Sequence, residues 1–166
     1  MPRSATPKEW ILLSYRLPRE PSTPRSSVWR TLRRLGVAQL GDGLVALPAD
    51  ARSREALEWV AEEVIDNGGE ATLWEGRPAD QASHHAVVQK MTDAIRAEYT
   101  AVAAEARHGA SRHAPSDRRR LAARLSRELR RIADRDYFAP PERDIADAAV
   151  TALTSDEPTT RARSRS

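Results

Sequence analysis

Apolar residues change their spacing along the chain from two residues to three or four, and this change marks the successive elements. The stretch "WILLSYRL" alternates, with Ile11, Leu13, Tyr15 and Leu17 on one side, which predicts a half-buried β-strand. The next residues, "PREPSTP", are rich in proline and indicate a loop. The pattern therefore begins with a strand that leads through a loop into a different periodicity.

The first helical pattern follows this loop. Val28, Leu32 and Leu35 lie at helical spacing. Ser22 or Thr23 is suited to the N-cap, because a side-chain hydroxyl accepts a hydrogen bond from a free backbone N–H. After the helix, "VAQL" and "LVALP" predict two short strands, and the glycines of "GDG" between them allow the positive φ of a tight turn.

Glycine-containing stretches end both predicted helices of this region: Gly36 follows the first, and "NGG" follows the second. Asp50 is suited to the N-cap of the second helix. The apolar stripe of that helix consists of Leu57, Val60, Ala61 and Val64. "EATLWE" predicts the last strand, so residues 9–76 follow the ferredoxin-like βαββαβ plan. The right-handed crossover rule places both helices on one face of the sheet and leaves the other face open.

The remainder of the chain predicts helices. The first long helix spans residues 82–108 and has an apolar stripe of Val88, Met91, Ile95, Tyr99 and Val102. A break at "GASRHAPSD" precedes a second helix, whose stripe is Leu121, Leu125, Leu129 and Ile132. A short helix over residues 142–153 follows "DRDYFAPP". The fold class is therefore α+β: a ferredoxin-like sheet, then a long α-helical hairpin and a short C-terminal helix.

The helical region, residues 77–153, is expected either to pack on the open sheet face or to project from the first domain toward a second copy. Tyr137 and Phe138, within "ADRDYF", are expected to dock onto the sheet where the chain reverses. The polar termini, residues 1–8 and 154–166, are expected to be disordered.

Charge is distributed unevenly, although the totals nearly balance at 27 basic and 24 acidic residues. Residues 1–36 contain eight Lys or Arg and two Asp or Glu, residues 37–80 contain three and ten, and residues 107–135 contain ten and three. Two basic blocks thus flank an acidic one. Alanine provides 28 residues, so the helices have thin apolar faces, and pairing with a second chain as a homodimer is expected.

The basic blocks carry the candidate nucleic-acid-binding residues. On the second long helix, four arginines at spacings of four, three and four form one row: Arg120, Arg124, Arg127 and Arg131. Guanidinium groups at this spacing can follow a phosphate backbone. A second group surrounds the apolar stripe of the first helix: Arg25, Arg30, Arg33 and Arg34, with Arg16 and Arg19 just upstream. The alternative for both groups is a solvated surface, since only two of the 27 basic residues are lysine.

Motifs for catalysis and for metal binding are missing from the sequence. It contains no cysteine, P-loop, Ser-His-Asp order or dinucleotide fingerprint. The adjacent His84 and His85 point about 100° apart on a helix, so one metal ion does not easily take both. We therefore expect no metal, no cofactor and no enzyme. Trp29 is suited either to stack on a base or to cover the edge of the sheet.

Membrane and export signals are also missing. No apolar run approaches the roughly 20 residues that span a bilayer. The first residues, "MPRSATPKEW", lack the apolar segment of a signal peptide. We therefore expect a cytoplasmic protein without a membrane partner.

The order of these motifs resembles the N-terminal domain of the ChrB family of chromate-resistance regulators. The stretches that carry the resemblance are "WILLSYRLPREPSTPRSSVWRTLRRLG", "LGDGLVALP", "GGEA" and "ADRDYF", which lie within residues 9–153. The resemblance implies a cytoplasmic regulator of a chromate-efflux operon that responds to an oxyanion such as chromate. Longer members of the family continue into a second domain.

The first half of the chain is also similar to the C-terminal part of PaaX-type repressors and to small CRISPR-associated endoribonucleases with a ferredoxin fold. Those endoribonucleases place a metal-binding Asp at the end of the first strand, where this chain has Arg16 in "SYRLPRE". The resemblance therefore does not extend to catalysis. The leading hypothesis is a regulator that binds DNA through its arginines. The alternatives are a non-catalytic protein–protein interaction module on the same scaffold and, last, hydrolysis of nucleic acid.

Overall fold

The computed structural model describes residues 7, 9–112 and 114–155. The two terminal segments that were predicted to be disordered, residues 1–8 and 154–166, therefore lie almost wholly outside the described residues.

The chain forms two compact units. One contains the chain up to Arg96 together with Ala133–Pro140, and the other contains Ala97–Ile132 and the chain from Pro141 onward. The domain boundary predicted between residues 76 and 77 stays a prediction.

The first unit has the predicted order of strands and helices. Its elements are β1 (Trp10–Arg16), α1 (Thr23–Leu35), β2 (Ala38–Gly41), β3 (Leu44–Pro48), α2 (Ala51–Asp66) and β4 (Glu70–Gly76). The sheet order is β2-β3-β1-β4, and every neighbouring pair is antiparallel. The βαββαβ plan predicted from the sequence is confirmed.

One face of the sheet is covered by α1 and α2. Alternate residues of β1 and β3 meet the stripes of both helices in a single buried cluster, because successive strand residues point to opposite faces. Its large members are Ile11, Leu13, Val28, Leu32, Val45, Leu47, Leu57, Val60 and Val64. Each such side chain contributes about 1.5–3 kcal/mol when it is fully buried.

The ends of the two helices follow from local sequence. The Asp50 carboxylate accepts a hydrogen bond from the Ser53 N–H at 2.6 Å and starts α2, as predicted. Gly36 ends α1 with a φ of +73°, also as predicted. Ser22, one of the two predicted residues, occupies the N-cap of α1, and Pro24 lies in the first turn. The predicted capping hydrogen bond is wrong, because the Ser22 side chain makes none.

The opposite face of the sheet is covered at one end by the first turns of α3 (Gln81–Arg112). The buried residues of this contact are Trp10, Ala38, Ala46 and Met91. The start of α3 thus packs on this face, whereas the choice between a helical region that packs on the sheet and one that projects from it stays a prediction. Among the described residues, the side chains of Trp74 and Leu40 on this face remain 57% and 42% exposed.

The segment after α4 (Pro115–Ala133) returns to the sheet as predicted. Tyr137 packs against both buried clusters, and its hydroxyl donates a hydrogen bond to the Leu35 carbonyl at 2.7 Å. The buried carboxylate of Asp136 accepts from the N–H groups of Phe138 and Ala139, at 3.1 and 2.8 Å. These bonds fix the reversal of the chain.

The second unit contains the rest of α3, α4 and the short α5 (Glu142–Ala152). Its main buried side chains are Tyr99, Val102, Ala106, Leu125, Leu129, Ile132, Ala146 and Val150. The predicted end of the first long helix at residue 108 is wrong, because α3 continues to Arg112. The Ser111 hydroxyl donates to the His108 carbonyl at 2.9 Å within the helix, and the break falls directly before Pro115, the first residue of α4.

Candidate nucleic-acid interface

A groove lies where β1 ends, α1 begins and the β2–β3 turn passes between them. We call it the basic groove; it measures about 930 Å³ and is lined by Tyr15, Arg16, Leu17, Arg19, Ser22, Arg25, Ser26, Trp29, Gln39, Asp42 and Gly43. The turn approaches β1 closely, since the Tyr15 N–H donates to the Gly43 carbonyl at 2.8 Å. The fold therefore brings together residues from three separate elements.

Three arginines give the basic groove its charge. Arg16, Arg19 and Arg25 are exposed, and within the described part of the chain none of them forms an ion pair. Asp42 is the acidic residue among those that line the groove. Three guanidiniums against one carboxylate leave the groove positive and therefore suited to an anionic ligand.

Two aromatic side chains form part of the wall. Burial raises the pKa of Tyr15 above its usual value of 10.0, and the positive charge of Arg25 acts in the opposite direction. The Tyr15 phenol is therefore neutral at physiological pH. Trp29 packs against the core and also lines the basic groove. Its position therefore agrees with both predicted roles, which are to stack on a base and to cover the edge of the sheet.

The other predicted arginines of α1 lie outside the basic groove. Arg30, Arg33 and Arg34 are exposed and line a separate depression of about 490 Å³ with Ser27 and Thr31. Arg30 donates to a backbone carbonyl of its own helix at 3.3 Å, and Arg34 donates to the Thr31 hydroxyl at 3.1 Å. The predicted group thus divides into Arg25 and an outward-facing set of three.

The arginine row of α4 points away from the buried side of its helix. The buried residues of α4 are Ala122, Leu125, Leu129 and Ile132. The arginine row is exposed and centred about 150° from them around the helix axis; its members are Arg120, Arg124, Arg127 and Arg131. The sequence analysis placed the arginine row beside the predicted apolar stripe. The stripe that is buried in the structure lies farther from the arginine row, because it includes Ala122, whereas Leu121 is only partly buried.

Carboxylates already contact two members of this row. Arg124 forms an ion pair with Glu105 and a second one with Glu128 at 3.7 Å. A guanidinium nitrogen of Arg120 lies 3.8 Å from a carboxylate oxygen of Asp117, and the Arg120 side chain is largely exposed. Arg124 is therefore partly neutralised, whereas the charge of Arg120 is open to solvent.

Sequence reasoning noted Arg16 and Arg19 but did not include them among the site residues, and it assigned Tyr15 to the core. The signal was the proline-rich loop after β1, which lets the chain turn so that the strand end meets the start of α1. In the described residues, no group of three or more His, Asp or Glu residues is placed to hold a metal ion. Among the same residues, no helix is long and apolar enough to cross a membrane.

Comparisons with known proteins agree on one family. The family model described as "Protein ChrB, N-terminal" matches residues 25–110, from α1 into α3. Protein ChrB of Cupriavidus metallidurans is 29% identical over 132 residues, which cover 78% of this chain and 40% of that protein. This chain thus matches less than half of that relative's length, and no solved structure matches it. Because the family model covers more than half of the chain, the protein belongs to the ChrB family, through its N-terminal domain.

Proposed function

We propose that this chain is a cytoplasmic, homodimeric regulator that binds DNA through its exposed arginines and controls a chromate-efflux operon. The observation that carries the proposal is the basic groove, where Arg16, Arg19 and Arg25 converge without an ion pair among the described residues. Family membership supports the link to chromate resistance.

The basic groove suits a phosphate backbone for electrostatic reasons. Each guanidinium that contacts a phosphate releases condensed counterions, so affinity comes mainly from charge and falls as the salt concentration rises. Trp29 adds an aromatic surface beside these charges, which is the combination that nucleic-acid-binding grooves use for stacking. Because Arg16, Arg19 and Arg25 form no ion pair with any described residue, no such carboxylate has to be displaced when phosphate binds.

The remaining arginines extend the proposed contact. Arg30, Arg33 and Arg34 are exposed on the same helix as Arg25. On α4, the proposal assigns contacts to Arg120, Arg124, Arg127 and Arg131. The two carboxylate partners of Arg124 compete with phosphate for its guanidinium group. A homodimer would double each set and fix two contacts on one duplex.

An oxyanion effector fits the same chemistry. Chromate is a dianion, and guanidinium groups bind such anions through charge-assisted hydrogen bonds. The proposal therefore includes competition between chromate and DNA phosphate for Arg16, Arg19 and Arg25.

The test measures binding of the protein to the promoter DNA of its own operon by fluorescence anisotropy, at a series of salt concentrations. The variant with Arg16→Gln, Arg19→Gln and Arg25→Gln is expected to reduce the slope of log affinity against log salt by roughly 2 to 3, since each phosphate contact contributes about 0.9. The matched control changes three exposed basic residues elsewhere: Arg52→Gln, Lys90→Gln and Arg107→Gln.

Two results would contradict the proposal. One is an absence of binding by the wild-type protein at about 50 mM salt, where phosphate contacts are strong. The other is an equal loss of affinity in the groove variant and in the control, which has the same net charge. Glutamate replacements of Arg120, Arg124, Arg127 and Arg131 test the α4 row in the same assay.

The second candidate is the non-catalytic interaction module, and one observation favours it. Trp59 on α2 is 67% exposed, and its helix carries five acidic residues: Glu55, Glu58, Glu62, Glu63 and Asp66. An exposed tryptophan among carboxylates suits a basic protein partner. Under this alternative, Trp59→Ala weakens binding to a second regulator or to the efflux system, whereas the groove variant leaves that binding intact.

A further inference from the structure

The uncovered part of the sheet holds a pocket that the proposed DNA contacts do not use. It measures about 600 Å³ and opens beside the first turns of α3. Trp10, Leu12 and Ala46 line it, and they lie on the opposite face of the sheet from α1 and α2. A volume of this size is in the range of small-molecule sites, about 300–1,000 Å³.

The walls of the pocket are apolar and aromatic. Leu12 pairs with Trp74 across β1 and β4 and with Ala46 across β1 and β3. The Trp74 indole donates to the Ser14 hydroxyl at 3.0 Å, which holds the ring on the sheet although more than half of it is exposed. Leu40 from β2 adds a second exposed apolar side chain. A ligand that covers Trp74 and Leu40 would remove a large apolar area from water.

The charges at the mouth select the kind of ligand. Glu75 forms an ion pair with Arg54. The Asp80 carboxylate does not line the pocket and accepts hydrogen bonds from the Ser83 N–H at 2.7 Å and from the Ser83 hydroxyl at 2.9 Å. Arg77 also lines the pocket, is exposed and forms no ion pair with any described residue. Of the two charged residues that line the pocket, Glu75 therefore has a cationic partner, whereas Arg77 stands beside the apolar wall without an ion pair among the described residues.

We infer that this pocket binds a small aromatic molecule that carries one anionic group. The aromatic body covers Trp74 and Leu40, and the carboxylate or sulfonate contacts Arg77. This inference goes beyond the proposed DNA binding and does not depend on it, because none of these residues lines the basic groove.

The test uses two probes that share one aromatic skeleton. 8-Anilinonaphthalene-1-sulfonate is anionic, and N-phenyl-1-naphthylamine is its neutral counterpart. Each is titrated into the full chain and followed by fluorescence. Trp74→Ala is expected to weaken both probes about tenfold, because the aromatic wall serves both. Arg77→Gln is expected to weaken the anionic probe about five- to tenfold and to leave the neutral probe unchanged.

The chain supplies a matched control for each variant. Trp59 and Arg52 are exposed residues of the same types on α2, which packs on the other sheet face. Trp59→Ala and Arg52→Gln are therefore expected to leave both affinities unchanged. Arg77→Gln effects that are equal for the two probes, or a Trp74→Ala variant with wild-type affinities, would overturn the inference.

A second copy of the chain is the competing occupant of this face. A stable interface buries about 800 Å² on each partner, so it would have to extend well beyond Leu40 and Trp74. Sedimentation of the wild type and of Leu40→Glu distinguishes the two occupants. A wild-type dimer that Leu40→Glu dissociates, with probe binding confined to the monomer, would overturn the ligand proposal in favour of a dimer face. A sedimentation coefficient unchanged by Leu40→Glu, with weaker binding of both probes, supports it.

Discussion

Three glycines of the first unit form a matched series that isolates the close approach of the β2–β3 turn to β1. Gly43 and Gly68 have positive φ angles of +70° and +77°, and Gly41 does not. A Cβ atom on Gly43 would lie 2.3 Å from the Tyr15 carbonyl oxygen, whereas one on Gly68 or Gly41 would meet nothing within 4 Å. Alanine replacements at the three positions therefore separate the cost of backbone conformation from the cost of steric overlap.

The expected losses differ by several kcal/mol. A left-handed conformation costs an L-residue about 1–2 kcal/mol. Reduced freedom of the unfolded chain offsets part of this, so Gly68→Ala is expected to lower the free energy of unfolding by about 1 kcal/mol. Gly41→Ala is expected to stay within about 0.5 kcal/mol of the wild type.

Gly43→Ala adds a steric overlap between the new Cβ atom and the Tyr15 carbonyl oxygen, which belongs to the backbone and cannot move by a change of rotamer. Relief requires the turn to move about 1 Å, which disturbs the 2.8 Å bond from the Tyr15 N–H to the Gly43 carbonyl. Overpacking costs about 1–3 kcal/mol, the bond about 1 kcal/mol and the backbone conformation about 1 kcal/mol, as at Gly68, so the total loss is about 3–5 kcal/mol.

The free energy of unfolding of the wild type and the three variants is measured by urea titration, with circular dichroism as the signal. The midpoints can be compared directly if the m-values are unchanged. Equal midpoint shifts for Gly43→Ala and Gly68→Ala would refute the steric reasoning. Because Gly43 and Tyr15 also line the basic groove, Gly43→Ala is the variant of the three expected to weaken DNA binding as well.

Three further predictions concern single side chains. Asp50→Ala removes the cap on the Ser53 N–H and is expected to cost about 1 kcal/mol in urea unfolding, most of which Asp50→Asn restores. Tyr137→Phe leaves the Leu35 carbonyl without this donor and is expected to cost about 1–2 kcal/mol in the same assay. Burial raises the pKa of Tyr15 above 10.0, so the contribution of the neutral phenol to stability is present below pH 10 and is lost as the pH rises through the folded-state pKa. Tyr15→Phe is therefore expected to flatten the alkaline part of a plot of Tm against pH. A slope equal to that of the wild type would contradict this prediction.

Local spacing predicted the sheet and the two helices on its first face, because their buried residues recur at fixed intervals. Ile11 and Leu13 illustrate this: alternation alone places them together on one face. The alternation was not used to place Trp10, which is buried with Met91 and whose indole N–H donates a hydrogen bond to His84 at 3.4 Å. That contact joins residues 74 positions apart, and no local period encodes it.

The candidate site shows the same difference between local and distant information. Helical spacing grouped Arg25 with three arginines of its own helix, because they are neighbours along the chain. The structure instead joins Arg25 with Arg16 and Arg19, since the end of β1 and the start of α1 meet at one end of the sheet. Sequence reasoning therefore identified the charged segments, whereas the grouping of their side chains depended on the tertiary fold.

The acidic middle of the chain raises the question of why the groove keeps its charge. The acidic helix α2 packs beside α1, and its Glu63 reaches that helix close to Arg25 in sequence. Its carboxylate does not meet a guanidinium, because it accepts a hydrogen bond from the Ser27 hydroxyl at 2.8 Å. The residue of α1 that binds the Glu63 carboxylate is therefore the neutral Ser27 and not an arginine. Within the described residues, Arg16, Arg19 and Arg25 remain without an ion pair. A carboxylate bound to those arginines would have to be displaced before phosphate binds, so this arrangement preserves the free-energy gain that the proposed function requires.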